Sequence, residues 1–148
     1  MHRNTPGRAA LLSALALAQV GRLVDLAAEV DAWPGYEVLR GPETGLVPLP
    51  ARADGSGELF VLADLLTTHI SICDQNGYTG IGWVLGDNAE HALWIARWDA
   101  FLQEPRSAER YALRLLATLE EDREQRNRQR ESELQTTQVE FFTLGNPG

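Results

Sequence analysis

The stretch "YEVLRGPETGLVPLPAR", Tyr36–Arg52, decides how the sheet of this chain is read. Two β-prone runs flank Gly41-Pro42-Glu43-Thr44-Gly45, and Gly-Pro steps commonly mark turns. The spacing predicts a hairpin, with one strand over Tyr36–Arg40 and another over Leu46–Ala53. Pro48 and Pro50 lack an N–H, so the second run fits only at a sheet edge. If the strands pair symmetrically about 42–44, Arg40 opposes Leu46 and shares a face with Arg52. Two guanidinium forks on one face could grip a phosphate. Alternatively Glu43 neutralises one of them and the corner is structural. Between these, physical reasoning favours the structural pairing.

Working outward, further strands are expected over Glu58–Ala63, Thr67–Asp74 and Tyr78–Leu85. Turns separate them at Asp54–Gly57, near Asp64 and at Gln75–Gly77. Asn76-Gly77 is a strong hairpin signal because both residues tolerate positive φ. Alternation puts Ile70 and Ile72 on one face, with His69, Ser71 and Cys73 on the other. Ile81, Trp83 and Leu85 share a face in the same way. Gly80, Gly82 and Gly86 do not have the spacing of a dinucleotide fingerprint; close backbone packing explains them better. Short consecutive connections imply an antiparallel meander.

Helices flank the sheet. An N-terminal helix is expected from Pro6 to Gln19, capped by Thr5, with a break near Gly21 and more helix to Ala32. Its apolar run "AALLSALALA" follows Arg3 and Arg8 and has a signal-like flavour. The amphipathic helix that continues after it favours a retained element, and the run is too short to span a bilayer. Another helix is expected over Asn88–Gln103, capped by Asp87. Its two apolar stripes, one of them Trp94, Trp98 and Phe101, suggest burial on two sides: one against the sheet, the other against the N-terminal helices or a partner chain, with Trp94 and Trp98 assigned to a partner interface. A last helix starts near Ser107, with Leu113, Leu116 and Leu119 facing a core. It runs into the all-polar Glu120–Glu133, read as a solvated face. The tail "VEFFTL", Val139–Leu144, is apolar again, so Phe141 and Phe142 need a cover from this chain or a partner. The expected fold class is therefore α+β: one domain over 1–148, with helices at 6–32, a meander of about five strands at 36–86, helices at 88–135 and an apolar tail at 139–144.

Composition excludes several functions. The net charge is −8, from 13 basic and 21 acidic groups, which argues against a nucleic-acid partner. Every basic residue among the 13 is arginine, so lysine Schiff bases and lysine phosphate loops are excluded. Cys73 is the only cysteine, too few for a disulfide, a zinc ribbon or a cysteine-held iron–sulfur cluster. That count suits a reducing cytoplasm. His91 falls in the first turn of the Asn88 helix and is a weak candidate acid or base. No metal-ligand spacing surrounds it, and a structural or interface role is the better reading. Asp87, as cap, would occupy the helix N-terminus that an anion needs. Two other functional classes stay open: a free-standing His91-based enzyme, and an anion or nucleotide module built on Arg40 and Arg52.

Several blocks then carry a resemblance: "YEVLRGPETGLVPLPAR", "GSGELF", "GWVLGDNAEHA" and "VEFFTL", in this order, together with "LSALALAQ" before them. The chain resembles the PhnG family, subunits of the bacterial carbon–phosphorus lyase core complex. The resemblance implies a part in phosphonate catabolism: joining methylphosphonate to the ribose of ATP, with release of adenine. It implies a transferase or lyase complex in the cytoplasm, not a catalyst acting alone. The partners it implies are PhnI, PhnH and PhnJ-like subunits, with a PhnL-like ATPase transiently and no membrane. It implies no cofactor on this chain: ATP is a substrate of the complex, and the Fe–S cluster and S-adenosylmethionine belong to the PhnJ partner. Arg40, Glu43, Thr44, Gly45, Arg52, Gly57, Phe60, Gly86 and His91 fall on the family pattern, and no catalytic role is carried to any of them.

Overall fold

A computed structural model describes residues 5–55 and 57–144, with side chains to residue 140. Its elements are α1 (Arg8–Leu17), α2 (Val20–Ala27), β1 (Tyr36–Arg52), β2 (Leu59–Asp74), β3 (Thr79–Leu85), α3 (Ala89–Gln103), α4 (Pro105–Ser107) and α5 (Leu113–Leu144). A π-helical turn, Ala108–Ala112, joins α4 to α5. The class is α+β, with one antiparallel sheet in the order β1-β2-β3.

The sheet has three strands among the described residues, not five, because two expected turns are extended backbone. At the first, Gly41 adopts φ 89° and precedes a cis Pro42. The ladder shifts register there, from Arg40↔Ser71 to Glu43↔His69, and then runs on through Leu46↔Leu66. Gly41 is required: a Cβ would lie 2.6 Å from the His69 carbonyl oxygen. At the second, Asp64 pairs across from Pro48, where its side chain stays in water. The real turns are a 3-10 turn at Ala53–Gly55 and the Asn76-Gly77 hairpin. In that hairpin Asp74 Oδ1 accepts the Asn76 and Tyr78 N–H groups at 2.9 and 3.0 Å.

One sheet face packs on α3. Ile70, Ile72 and Val84 lie buried there with Ala92, Ile95 and Ala96. Gly80 and Gly82 let helix and sheet approach closely, since a Cβ at either would run into the α3 backbone at Ala96 or Ala92. This is the close packing expected of glycines within a strand. Leu11, Leu15, Leu23 and Leu26 cover the far side of α3, so the first two helices belong to the core. α1 begins after Gly7 with no side-chain cap, and the break falls at Ala18–Gln19, before Gly21.

Two corrections concern the helices after the sheet. The cap of α3 is Asn88, whose Oδ1 accepts the His91 N–H at 3.1 Å, and not Asp87. The buried stripe of the last helix is Ala112, Leu115 and Leu119, while Leu113 is exposed. Nor is the polar run from Glu120 wholly solvated. Asp122 accepts from Arg22 at 2.8 Å, and Arg126 donates to the Leu17 carbonyl at 3.0 Å. That carbonyl sits in the last turn of α1, where no intrahelical donor remains. No single helix among the described residues is long and apolar enough to cross a membrane.

Candidate functional site

Where β1, β2 and the β3–α3 connection meet, the sheet changes character. Up to Thr67 it is three strands wide and covered by α3. Beyond Thr67 only β1 and β2 continue, as a two-stranded ribbon from Gly45–Arg52 and Leu59–Leu66. Polar side chains gather at this junction. Thr68 Oγ1 donates to the Gly86 carbonyl at 2.6 Å and accepts the Asn88 N–H at 3.0 Å. Thr44 Oγ1 donates to Asp87 Oδ1 at 3.1 Å and lies 3.2 Å from Thr68 Oγ1. Asp87 therefore pins β1 to the start of α3 rather than capping the helix.

On the opposite, uncovered face of the sheet, Arg40 Nε meets Glu43 Oε1 at 3.1 Å. Glu43 Oε2 also lies 3.1 Å from His69 Nε2. The Arg40 hydrogen bond holds the Glu43 carboxyl below the ordinary carboxylate range, with charge from Arg40 and His69 adding to it. His69 faces the indole of Trp83 with ring centroids 5.8 Å apart. Trp83 is 54% exposed, flanked by exposed Ile81 and Leu85 on the same face. The junction thus presents a neutralised polar triad beside an aromatic and apolar strip.

The structural pairing of Arg40 with Glu43 is present. The joint grip of Arg40 and Arg52 is not, because β1 is continuous and twelve residue steps separate them, roughly 30–40 Å of strand. Arg52 donates instead to the Gly57 carbonyl at 3.3 Å, at the ribbon tip. His91 is buried, its Nε2 2.9 Å from the Leu15 carbonyl oxygen, and ties α3 to α1. That placement is structural and leaves it no solvent-facing partner for acid–base work.

The expected partner-facing aromatics divide. Trp98 is only 2% exposed and donates to the Leu23 carbonyl at 3.2 Å, so the chain's own core consumes it. The reason is Trp33, which packs edge-on against both Trp98 and Trp94. Trp94 is half-buried, with the Arg97 guanidinium 4.3 Å above its ring. The side chains of Phe141 and Phe142 lie outside the described residues. Sequence reasoning missed the Arg8–Asp99 pair, whose partners stand 91 positions apart. It also missed the role of Trp33; the Trp-Pro-Gly context signalled only a helix stop.

Among the described residues, the ribbon carries a cluster of bare apolar side chains. Leu46, Leu59, Val61 and Leu62 are each at least 60% exposed, and Phe60 and Leu66 nearly half. A two-stranded ribbon is marginal in water alone, and contiguous bare apolar patches mark interaction sites. The fold is thus an α+β body from which a two-stranded ribbon with bare apolar side chains extends. The Phosphonate metabolism protein PhnG family model matches residues 6–145, and the chain belongs to that family. It is similar to "Alpha-D-ribose 1-methylphosphonate 5-triphosphate synthase subunit PhnG" of Rhizobium meliloti (strain 1021), with 30% identity over 133 residues, covering 88% of this chain and 83% of that protein.

Proposed function

We propose that this chain is a subunit of an alpha-D-ribose 1-methylphosphonate 5-triphosphate synthase and works in phosphonate catabolism. The similarity to the Rhizobium meliloti subunit along nearly the whole chain carries this reading. The complex transfers methylphosphonate to the ribose of ATP and releases adenine. This chain supports that transfer as an assembly and positioning component: its polar residues at the sheet junction are satisfied by one another, and its buried histidine serves packing. Its partners in this reading are the PhnI- and PhnH-type subunits, with a PhnL-type ATPase and the PhnJ-type radical subunit that later breaks the carbon–phosphorus bond. The iron–sulfur cluster and S-adenosylmethionine belong to that last partner, and the assembly works in the cytoplasm. The test is a set of synthase subunits co-expressed with and without this chain, assayed for adenine release from ATP and methylphosphonate. Release should require the chain. Full release in its absence would end the proposal.

A further inference from the structure

β2 is sixteen residues long, but β3 pairs only with Thr67–Cys73. Among the described residues, the edge of β2 on that side is therefore free over Leu59–Leu65. Its backbone direction follows from the hydrogen bonds present. The Leu66 carbonyl accepts the Gly86 N–H at 2.8 Å, so Leu66 and, by alternation, Asp64 turn their backbone groups toward the β3 side. The register shift between Leu49 and Pro50 then brings Val61 and Leu59 into the same orientation, opposite Pro50 and Arg52. Pro48 and Pro50 occupy the matching positions of β1, so their missing N–H groups lie on the outer edge of β1 and close it to further pairing. One edge of the ribbon is blocked by proline. The other, in line with β3, has no proline to block it.

We propose that this free edge of β2 receives an extended segment from a different subunit, which continues the sheet beyond the end of β3 (β-augmentation). The inference rests on the reading of the chain as a synthase subunit, and it names how and where the chain docks. Main-chain hydrogen bonds to the Asp64 and Val61 groups supply the pairing. The bare apolar side chains of the ribbon supply burial on both faces of the new strand. Charge selects the occupant. Over 45–66 the ribbon carries Asp54, Glu58 and Asp64 against Arg52 alone, on a chain of net charge −8. A second copy would set acid against acid, which disfavours self-pairing. The complementary segment is apolar at its centre and basic at its flanks.

The test uses the full chain, tagged and co-expressed with the remaining synthase subunits, as wild type, Asp64→Asn and Asp64→Pro. Proline at 64 removes an outward N–H and leaves the β1–β2 bonds intact; asparagine changes only the charge. Asp64→Asn removes one of the ribbon's three acids but keeps the N–H, so recovery of partners should fall no more than about threefold, whereas with Asp64→Pro it should fall at least tenfold; equal recovery with the two variants overturns strand addition. Hydrogen exchange gives a second measurement that needs no variant: in the assembled complex the Val61 and Asp64 amides should exchange at least tenfold more slowly than in the free chain. Equal exchange in a complex that does assemble overturns strand addition and leaves the subunit reading standing. Protection that appears in the chain alone and rises with its concentration identifies a second copy as the occupant and also overturns it. If the wild type co-purifies with no synthase subunit, the subunit reading fails, and this inference fails with it.

Discussion

Asp99 accepts two hydrogen bonds from Arg8, at 2.9 Å from Nε and 2.7 Å from Nη2, and a third from the Ile81 N–H at 2.9 Å. One buried carboxylate thereby fastens α1, β3 and α3 to each other. The hydrogen bond and charge of Asp99 raise the Arg8 pKa above its ordinary value, against a smaller opposing effect of burial. The two partners are not equivalent, since Asp99 is buried while the Arg8 side chain is 48% exposed. Asp99→Ala leaves the Ile81 N–H without its partner but frees a half-exposed guanidinium to water, and should cost about 1–3 kcal/mol. Arg8→Ala leaves a buried carboxylate without its cation and should cost more, about 3–5 kcal/mol. Urea titrations of both variants check this, and equal losses would refute the asymmetry.

The contact of Gly82 with α3 makes a second prediction. A methyl group at 82 meets the Ala92 carbonyl, so Gly82→Ala must push helix and sheet apart. The expected loss is about 1–3 kcal/mol, as for overpacked cores. Gly21→Ala is the control, because nothing lies within 4 Å of that position. Thermal melts that rank the two variants the other way would contradict the packing account.

His91 should behave as a core residue. Its bond to the Leu15 carbonyl is buried, and losing one partner of such a bond costs about 1–3 kcal/mol. His91→Ala should therefore lower the melting temperature of the chain, while the assembled synthase keeps its adenine-release rate below the melt. A rate loss of a hundredfold or more in a fully assembled, folded complex would restore His91 as a catalytic group.

Glu43 predicts a pH dependence. Its carboxyl titrates below the ordinary glutamate value, with the hydrogen bond from Arg40 as the first cause. A depressed folded-state value means that the pair stabilises the fold above the ordinary carboxylate range and that this contribution is lost as pH falls through the depressed value. Carbon-detected NMR should place the Glu43 midpoint below the ordinary glutamate value, and Arg40→Ala should move it upward. The same midpoint in both proteins would show that Arg40 does not hold the carboxylate.

How far the sequence foretold this molecule depended on whether a signal was local. The Asn76-Gly77 turn, the Ile70 and Ile72 face, the tight packing of Gly80 and Gly82 and the edge position of the prolines follow from two to four neighbouring residues, and these are present; Gly86, expected to pack closely as well, instead has open space around it and serves a positive φ of 89°. The Gly41-Pro42 step misled because its turn propensity is overridden by the ladder opposite, where Ser71 and His69 keep β1 extended through two register shifts. Asp87 and Asn88 are both good caps by type, and only the Thr44 hydroxyl bonded to Asp87 distinguishes them. Trp98 read as a partner anchor because its cover, Trp33, comes from a segment 65 positions earlier. The Arg40–Glu43 half of the site was legible as an i,i+3 pair; the contacts of His69, Thr68 and Asp87 depend on strand register and were not.

The unbroken course of β2 has a mechanical consequence. At about 3.3 Å per residue its sixteen residues span about 50 Å, half clamped inside the body and half cantilevered into solvent. Such a beam has no break at its root, and the one irregularity in its ladder beyond Thr67, the register shift opposite Leu49 and Pro50, lies out in the cantilevered half. A load applied to the tip is delivered to Ile70 and Ile72 in the core, and thermal fraying that starts at the tip meets its first lateral support at Thr67.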